Sequence, residues 1–392
     1  MSHDTADPLM LLDLDTLLSE AERAFAARTA AVVAEVVRPH VSQWFTAGQA
    51  PMRDIAREFG RHGLLGMQLR GWGTAEASPV EYGMSYLEVE AADSGIRSLL
   101  SVQGSLAMQA IHDFGSDEQQ EQYLPGLAEG SLLGGFALTE AGAGSDPSGM
   151  QCRAERVGSD WVLSGTKRWV LNGSQLDVLV AWARTEDGVK GFLVPMALPG
   201  VEATVIPDQY SLRIGGASQV TFKDVRLPAD AVLEHAKGLG SALRCLNEAR
   251  FGIVFGPLGA ARDALSDTLE YTGARTQFGR PLSGFQLSQT KFVDAASDLS
   301  TALAFAVHLG RAKEAGRLRP EQVSLGKRNS CAVGLDIART CRGMLGANGI
   351  TADYSPLRHA LNLESVATYE GTHEVQTLVV GKALTGHDAF RG

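Results

Sequence analysis

A glutamate near the C-terminus, Glu370, ends one helical pattern and is followed directly by glycine and threonine. Carboxylates are among the side chains that transfer protons in catalysis. Gly371 permits a sharp backbone turn, and Thr372 can cap the helix that follows. A carboxylate at such a junction is well placed to project into a cleft. The alternative interpretation is a surface glutamate that merely ends a helix.

A second candidate site is the glycine-rich stretch from Phe136 to Asp146, where a predicted strand runs into a loop. The loop is rich in backbone N–H groups and hydroxyls, which can bind the carbonyls of a flavin ring or a phosphate. Because glycine-rich loops are common, this loop alone does not identify its ligand.

Two arginines could bind anions. Arg97 could form a charge-assisted bidentate pair with a carboxylate, to which Ser101 could add a donor. Its alternative partners are Glu90 and Asp93 within the protein. Arg275 precedes Thr-Gln-Phe-Gly, and its fork of donors suits a pyrophosphate.

Composition narrows the class of protein. The chain has 392 residues, 44% hydrophobic and 20% charged, which predicts two or three domains of an ordinary soluble protein. A net charge of −10 argues against bulk attraction to nucleic acid or anionic membranes. No apolar run was expected to span a bilayer, and the polar, acidic start lacks leader character, so we expect a cytoplasmic protein. The four cysteines lack metal-ligand spacing, so no metal site is predicted.

The elements that must position these residues fall into three regions. Residues 1–130 read as helices, with patterns over 11–37, 52–63, 81–92 and 98–114. Residues 131–235 carry short alternating runs typical of strands and predict a small barrel or sandwich. Residues 236–392 return to helical periodicity and predict a bundle of four or five helices. The predicted fold class is therefore multidomain α+β.

These segments, in this order, resemble the acyl-CoA dehydrogenase family, and within it the glutaryl-CoA dehydrogenases most of all. The resemblance covers nearly the whole chain. It implies an N-terminal α-helical domain, a middle β-barrel domain and a C-terminal four-helix bundle. It also implies FAD as cofactor and Glu370 as the base that removes the α-proton of a thioester. In some relatives the base precedes an arginine on another helix, but here that position is Ala249.

The resemblance also implies which residues contact FAD. Leu171 departs from the family pattern, in which a threonine hydroxyl reaches flavin N5, and a backbone N–H or water is the alternative donor. The implied cofactor residues are Phe136, Leu138, Thr139, Gly144, Ser145, Trp169, Val170, Leu171, Arg275, Gln277, Phe278, Gly346 and Thr372.

The stretch from Glu90 to Gln103 resembles the segment that holds the distal carboxylate in glutaryl-CoA dehydrogenases. Glu90 and Tyr369 are of the type found in the decarboxylating enzymes. The implied substrate residues are Glu90, Arg97, Ser98, Ser101, Ser145, Asn247, Arg250, Tyr369 and Gly371. The family further implies a homotetramer that shares its FAD sites and passes electrons to electron-transferring flavoprotein.

Two other functions remain open at this point. One is a specialised desaturase, oxidase or monooxygenase of the same fold that acts on an acyl-CoA or acyl-carrier-protein thioester in a biosynthetic pathway, an alternative that rests on Leu171. The other is a non-catalytic binding homologue, against which the retention of Glu370, Thr139, Ser145 and Arg275 argues. The sequence leaves open the carrier, the acyl group and the loss of CO2.

Overall fold

The computed structural model describes residues 7–390, apart from the side chain of Asp15. The prediction of a cytoplasmic protein used the first six residues, which lie outside that range. The first part of the chain is helical. Its α-helices span Leu14–Leu17, Glu20–Val36, Val41–Ala47, Met52–Arg61, Pro79–Glu90, Ser94–Leu100, Gln109–Phe114 and Asp117–Ala128.

The run from Leu11 to Val37 was expected to be one helix, and the structure breaks it at Ser19. The Ser19 hydroxyl accepts from the Glu22 backbone N–H, and the Glu22 carboxylate accepts from the Ser19 N–H at 2.8 Å. This capping box starts helix Glu20–Val36 and ends the short helix before it. The same device begins the helices at Pro79 and Asp117.

The helix expected over 98–114 is also interrupted. Residues Ser101–Met108 form a π-helix between the α-helices Ser94–Leu100 and Gln109–Phe114. A π-segment widens the turn, and such segments occur often at functional sites. Here it begins at Ser101, one of the predicted substrate residues.

The middle of the chain forms a sheet of seven strands. The strands are β1 (Gly134–Ala137), β2 (Arg153–Val157), β3 (Asp160–Leu171), β4 (Val178–Thr185), β5 (Gly188–Pro195), β6 (Val201–Val205) and β7 (Ala217–Leu227). Their order is β1-β4-β2-β3-β7-β6, with β5 paired to β4. β1 runs parallel to β4, and β3 runs antiparallel to β7. β1 and β6 are at the two ends of this order and do not pair with each other, so the curled sheet forms a half-barrel and does not close into a full barrel.

The last part of the chain is helical again, as predicted, with more helices than four within the described residues. They span Leu239–Ile253, Gly256–Ala274, Gln286–Glu314, Pro320–Met344, Ser355–Thr368 and His373–Thr385. A two-stranded hairpin, Thr276–Gln277 with Arg280–Pro281, joins the second and third of them. The helix Gly256–Ala274 crosses Pro79–Glu90 so closely that a Cβ on Gly259 would lie 1.9 Å from the Leu87 carbonyl oxygen.

The helix Gln286–Glu314 is an exception to the prediction that no segment would be long and apolar enough to span a bilayer. Among the described residues it alone passes that test, with a mean hydropathy of 1.2 over its most apolar window. It packs against the helices Pro320–Met344 and Pro79–Glu90 and buries Leu299, Leu303 and Val307. Because core helices of soluble proteins also pass this test, its length and composition are weak evidence for a membrane span.

Candidate active site

Glu370 lies in a tight turn between the helices Ser355–Thr368 and His373–Thr385. Its backbone φ is 52°, and that of Gly371 is 94°, both in the left-handed region. The φ of Gly371 favours glycine, and a Cβ there would lie 2.2 Å from Gln376 Nε2 and would force that side chain to move. Thr372 caps the second helix by accepting from the Val375 N–H at 3.2 Å. Glycine and threonine thus reverse the chain just after the carboxylate.

Three side chains bind the carbonyl groups of this turn. Lys327 Nζ donates to the carbonyls of Tyr369 and Gly371. Arg250 Nε donates to the Glu370 carbonyl at 2.9 Å. Gln376 Nε2 donates to the carbonyls of Glu370 and Gly371, both at 3.1 Å. The backbone is therefore held from three different helices.

The Glu370 carboxylate occupies a low-polarity site beside positive charges. Its Oε2 is buried without a hydrogen-bond partner. Burial raises the pKa of Glu370, and the charges of Arg97, Lys327 and Arg250 oppose that rise. A buried carboxylate with one unpartnered oxygen and a raised pKa has the character of a general base.

Arg97 and Glu90 form a buried ion pair next to this carboxylate. Arg97 Nε lies 2.5 Å from Glu90 Oε2, and both side chains are 0% exposed. Arg97 Nη2 also donates to the Tyr369 hydroxyl, which lies 3.4 Å from Ser98 Oγ. Glu90 Oε1 accepts from Ser94 Oγ at 2.9 Å. Burial acts to lower the pKa of Arg97, but Glu90, Tyr369 and Glu370 together outweigh it and raise the pKa, so the guanidinium stays charged.

This pairing decides between the two partners considered for Arg97 within the protein. Glu90 is its partner, whereas Asp93 instead caps helix Ser94–Leu100 and accepts from Asn362 at 2.7 Å. Arg97 Nη1 nevertheless stays buried without a partner. Ser101 Oγ is also buried, and its hydrogen bond to the Glu370 carboxylate acts to lower the pKa of that group. One unpartnered donor, Arg97 Nη1, therefore remains beside the candidate base.

The glycine-rich loop lies against strand β3. Its shape is held by Glu140, which accepts from the N–H groups of Gln151 and Cys152 and from Lys167 Nζ at 2.9 Å. Lys167 Nζ also donates to the Leu138 carbonyl at 2.9 Å. The Thr139 carbonyl accepts from the Arg168 N–H at 2.8 Å. The predicted flavin residues on β1 and β3 are thus joined into one wall of the sheet.

Trp169 and Leu171 lie at the end of this wall. Trp169 is 55% exposed with φ of 63°, an unusual conformation for a bulky residue. Leu171 is buried and faces Gly215, which also lies against Gly95 at the start of the helix that carries Arg97. Gly142 and Gly144 have open space where a Cβ would point. Phe136 on β1 and Val170 on β3 are buried, and Ser145 is exposed in the loop.

The remaining predicted cofactor residues lie on another surface. Arg275, Gln277 and Phe278 are exposed on the hairpin, and Gly346 is exposed on the 3₁₀ turn Gly346–Ile350. Asn348 Nδ2 donates to the Tyr271 hydroxyl at 3.0 Å, which places the turn beside the helix that leads into the hairpin. Among the described residues, no hydrogen bond joins this surface to the Glu370 turn.

The sequence analysis did not identify two residues whose side chains bind the turn, Lys327 and Gln376. Both are 1% exposed, although lysine and glutamine are usually found at the surface. Asn247, which was predicted, lies next to Arg250, with Oδ1 at 3.5 Å from Arg250 Nη1. Gln376 follows Glu370 closely in sequence, but nothing local marks Lys327, which comes from a different helix.

Three family models match the chain one after another. They are the acyl-CoA dehydrogenase N-terminal domain over residues 19–131, the middle domain over 135–225 and the C-terminal domain over 236–385. A short-chain specific acyl-CoA dehydrogenase from Megasphaera elsdenii is 30% identical, over 80% of this chain and 84% of its own.

Solved structures agree with this assignment. A glutaryl-CoA dehydrogenase from Mycobacterium smegmatis, in complex with FADH2, is 51% identical with a TM-score of 0.97, over 98% of this chain and 100% of its own. The butyryl-CoA dehydrogenase from Megasphaera elsdenii is 28% identical with a TM-score of 0.88, over 94% of this chain and 98% of its own. With three consecutive domain models matched, the chain belongs to the acyl-CoA dehydrogenase family.

Proposed function

We propose that this chain dehydrogenates glutaryl-CoA and releases CO2 to give crotonyl-CoA, with Glu370 as the base. As a member of its family the chain is an FAD-dependent dehydrogenase. Within the same proposal it forms a homotetramer in the cytoplasm and passes its electrons to electron-transferring flavoprotein. The proposed domains are 1–130, 131–235 and 236–392.

The observation that carries the proposal is the buried, unpartnered Oε2 of Glu370 in a turn held by three side chains. A base must stand in line with the α-proton, and such alignment supplies much of the rate. The raised pKa of Glu370 improves its match to a proton on carbon. The Glu370 backbone N–H is the proposed donor to the thioester carbonyl.

The residues of the sheet wall fit a flavin. The exposed, strained Trp169 offers a flat apolar face, and the open backbone at Gly142 and Gly144 allows close approach of a ring. Thr139 and Ser145 add hydroxyl donors at the loop. FAD, when bound there, supplies the acceptor for the hydride that leaves the β-carbon. Thr372 and Gly346 are its other proposed contacts on the helical side.

The unpartnered guanidinium nitrogen of Arg97 near Glu370 supports a substrate with a second carboxylate. Arg97 Nη1 has no partner, although Glu90 and Tyr369 already occupy the other guanidinium nitrogens. A distal carboxylate could accept from Nη1 and from the Ser101 hydroxyl in a charge-assisted contact. The similarity to the Mycobacterium smegmatis glutaryl-CoA dehydrogenase supports the same substrate.

The test is to mix the purified flavoprotein with glutaryl-CoA or butyryl-CoA and follow flavin bleaching and product mass together. We expect glutaryl-CoA to bleach the flavin faster and to yield crotonyl-CoA. Glu370→Gln should lower the bleaching rate by about 100- to 10,000-fold. A Glu370→Gln variant that still bleached normally would refute the base, and a preference for butyryl-CoA would refute the role of Arg97.

Leu171 favours a second candidate function, an oxidase or monooxygenase of the same fold. A leucine has no hydroxyl for flavin N5, so the reactivity of the reduced flavin with oxygen could differ from that of family members with threonine. Peroxide formation in air, compared with electron transfer to an artificial acceptor, separates the two functions. A dehydrogenase should reduce the acceptor much faster than it forms peroxide.

A further inference from the structure

Lys327 is a buried lysine whose ammonium faces the turn that carries Glu370. It lies on the helix Pro320–Met344, is 1% exposed and donates to the carbonyls of Tyr369 and Gly371. These two residues flank Glu370 on either side. The ammonium therefore hydrogen-bonds the backbone on both sides of the base and not the carboxylate of the base.

The other two donors complete the hold on this turn. Gln376 Nε2 binds the carbonyls of Glu370 and Gly371, and Arg250 Nε binds that of Glu370. Every carbonyl from 369 to 371 thus accepts from at least one side chain. These carbonyls follow the helix Ser355–Thr368, and backbone carbonyls without a partner in the protein bind water instead. Here buried side chains replace water, which fixes the direction of the chain at its reversal.

Such a hold is needed because the turn is strained. A non-glycine residue in the left-handed region carries backbone strain, and this conformation persists only where the surroundings impose it. Glu370 has φ of 52°. Burying the Lys327 ammonium against two neutral carbonyls adds a desolvation cost of its own. Both costs arise at the turn that carries the proposed base.

We propose that Lys327, together with Gln376, is a positioning residue that fixes the Glu370 backbone so that the carboxylate meets the α-proton. The inference rests on the proposed function, in which Glu370 is the base. Lys327 acts through the turn and has no contact with the substrate.

The charge of the ammonium makes this role sensitive to pH. Burial lowers the pKa of Lys327 to about 8. The charged and titratable groups around it are Arg250, Arg97, Glu370, Tyr369 and Cys331. The two arginines stay charged, burial raises the pKa of the Cys331 thiol to about 12, and burial also raises that of the Tyr369 hydroxyl.

The direction of the pH effect follows from these groups. As pH rises through about 8, Lys327 loses its proton and its bonds to the two carbonyls lose their charge assistance. The turnover rate should therefore fall above this pH. At the acid end the rate should rise with pH as Glu370 ionises, above the ordinary range of a glutamate because burial raises its pKa.

Lys327→Met in the FAD-loaded enzyme tests the role directly. A shift of the base by about 1 Å can cost about 100-fold in rate, so we expect kcat with glutaryl-CoA to fall by about that factor. KM, FAD content and melting temperature should stay close to those of the parent. The isotope effect of an α-deuterated substrate on kcat should rise, and the decline near pH 8 should vanish.

Ser330→Ala is the matched control. Ser330 lies on the same helix and donates from a buried hydroxyl to the Val254 carbonyl at 2.7 Å, away from the Glu370 turn. This variant should keep the parental kcat, isotope effect and pH profile. A Lys327→Met enzyme that loads FAD and behaves like Ser330→Ala would overturn the positioning role.

Two further measurements cover the remaining outcomes. If Lys327→Met does not fold, Gln376→Leu takes its place and should lower kcat with unchanged KM. The parent enzyme should also lose activity as pH rises through about 8. Absence of both effects rejects the proposal. Glu370→Gln distinguishes failure of this inference from failure of the proposed function. If Glu370→Gln is active, Glu370 is not the base and the proposed function fails. If Glu370→Gln is inactive and Lys327→Met is fully active, only the positioning role of Lys327 fails.

Discussion

The buried pair of Arg97 and Glu90 places two opposite charges where neither meets water. Removing one partner from such a pair strands the other charge, at a cost of about 3–5 kcal/mol. We therefore expect Arg97→Met to lower the melting temperature of the FAD-loaded enzyme strongly, and Glu90→Gln added to it to restore most of the loss. Both variants should lose the preference for glutaryl-CoA over butyryl-CoA.

The exposed pair of Lys223 and Glu202 supplies the control for this prediction. Its atoms lie 2.7 Å apart, but the side chains are 60% and 57% exposed. Pairs of this kind contribute roughly 1 kcal/mol at most, so Lys223→Met should hardly change the melting temperature. Equal melting temperatures for the single Arg97 variant and the double variant would contradict the stranded-charge argument.

Single residues also show how far the sequence could predict the site. Glu370, Gly371 and Thr372 form a local pattern whose turn and cap can be read without the fold. Lys327 could not be found in this way, because only the packing of its helix brings it to the turn. The partner of Arg97 had two candidates nearby in sequence, and the geometry of the helix start, where Asp93 serves as the cap, settled it.

Among the helices, the crossing of Gly256–Ala274 over Pro79–Glu90 holds Glu90 in place. A Cβ on Gly259 would lie 1.9 Å from the Leu87 carbonyl oxygen, one turn before Glu90. Overpacking of this kind costs about 1–3 kcal/mol. Gly259→Ala should therefore lower the melting temperature and raise KM for glutaryl-CoA.

Gly273 on the same helix provides the comparison, since no atom lies within 4 Å of its added Cβ. Alanine is the better helix former by about 1 kcal/mol, so Gly273→Ala should leave stability unchanged or slightly increased. Comparable losses in the two variants would mean that helix propensity, and not the close crossing, decides the result.

The secondary structure was predictable where one face of an element is apolar. Leu299, Leu303 and Val307 form an apolar stripe on a helix within the region predicted to be helical, and the seven strands of the middle sheet lie within the region predicted to form strands. The π-helix at Ser101–Met108 was not predictable, because an extra residue per turn leaves no mark in the hydrophobic period. The sequence signal of edge strand β6 is weak, since most of its residues are half-buried or exposed.

Across the whole chain, the hairpin and its neighbouring helix expose apolar side chains. Phe278 is 95% exposed, Leu287 81% and Val293 67%. Contiguous exposed apolar residues mark contact surfaces between proteins, which agrees with the proposed homotetramer. Phe278→Asp should therefore lower the mass in light scattering from four chains to fewer, and should reduce FAD content because the proposed Arg275 site is shared between subunits.

Val157→Asp is the control for the assembly, since Val157 is 48% exposed at the end of β2 in the middle sheet. Its mass and FAD content should match those of the parent. A Phe278→Asp protein that kept the parental mass would place the subunit contact elsewhere.

The three side chains that bind the Glu370 turn, Arg250, Lys327 and Gln376, also affect how the enzyme recovers after denaturation. They come from the helices Leu239–Ile253, Pro320–Met344 and His373–Thr385, which are far apart along the chain. Helical signal in circular dichroism can return while these three are still undocked. Turnover should return later, once all three helices have assembled around the turn, so regained activity would report the last packing step of the C-terminal helices.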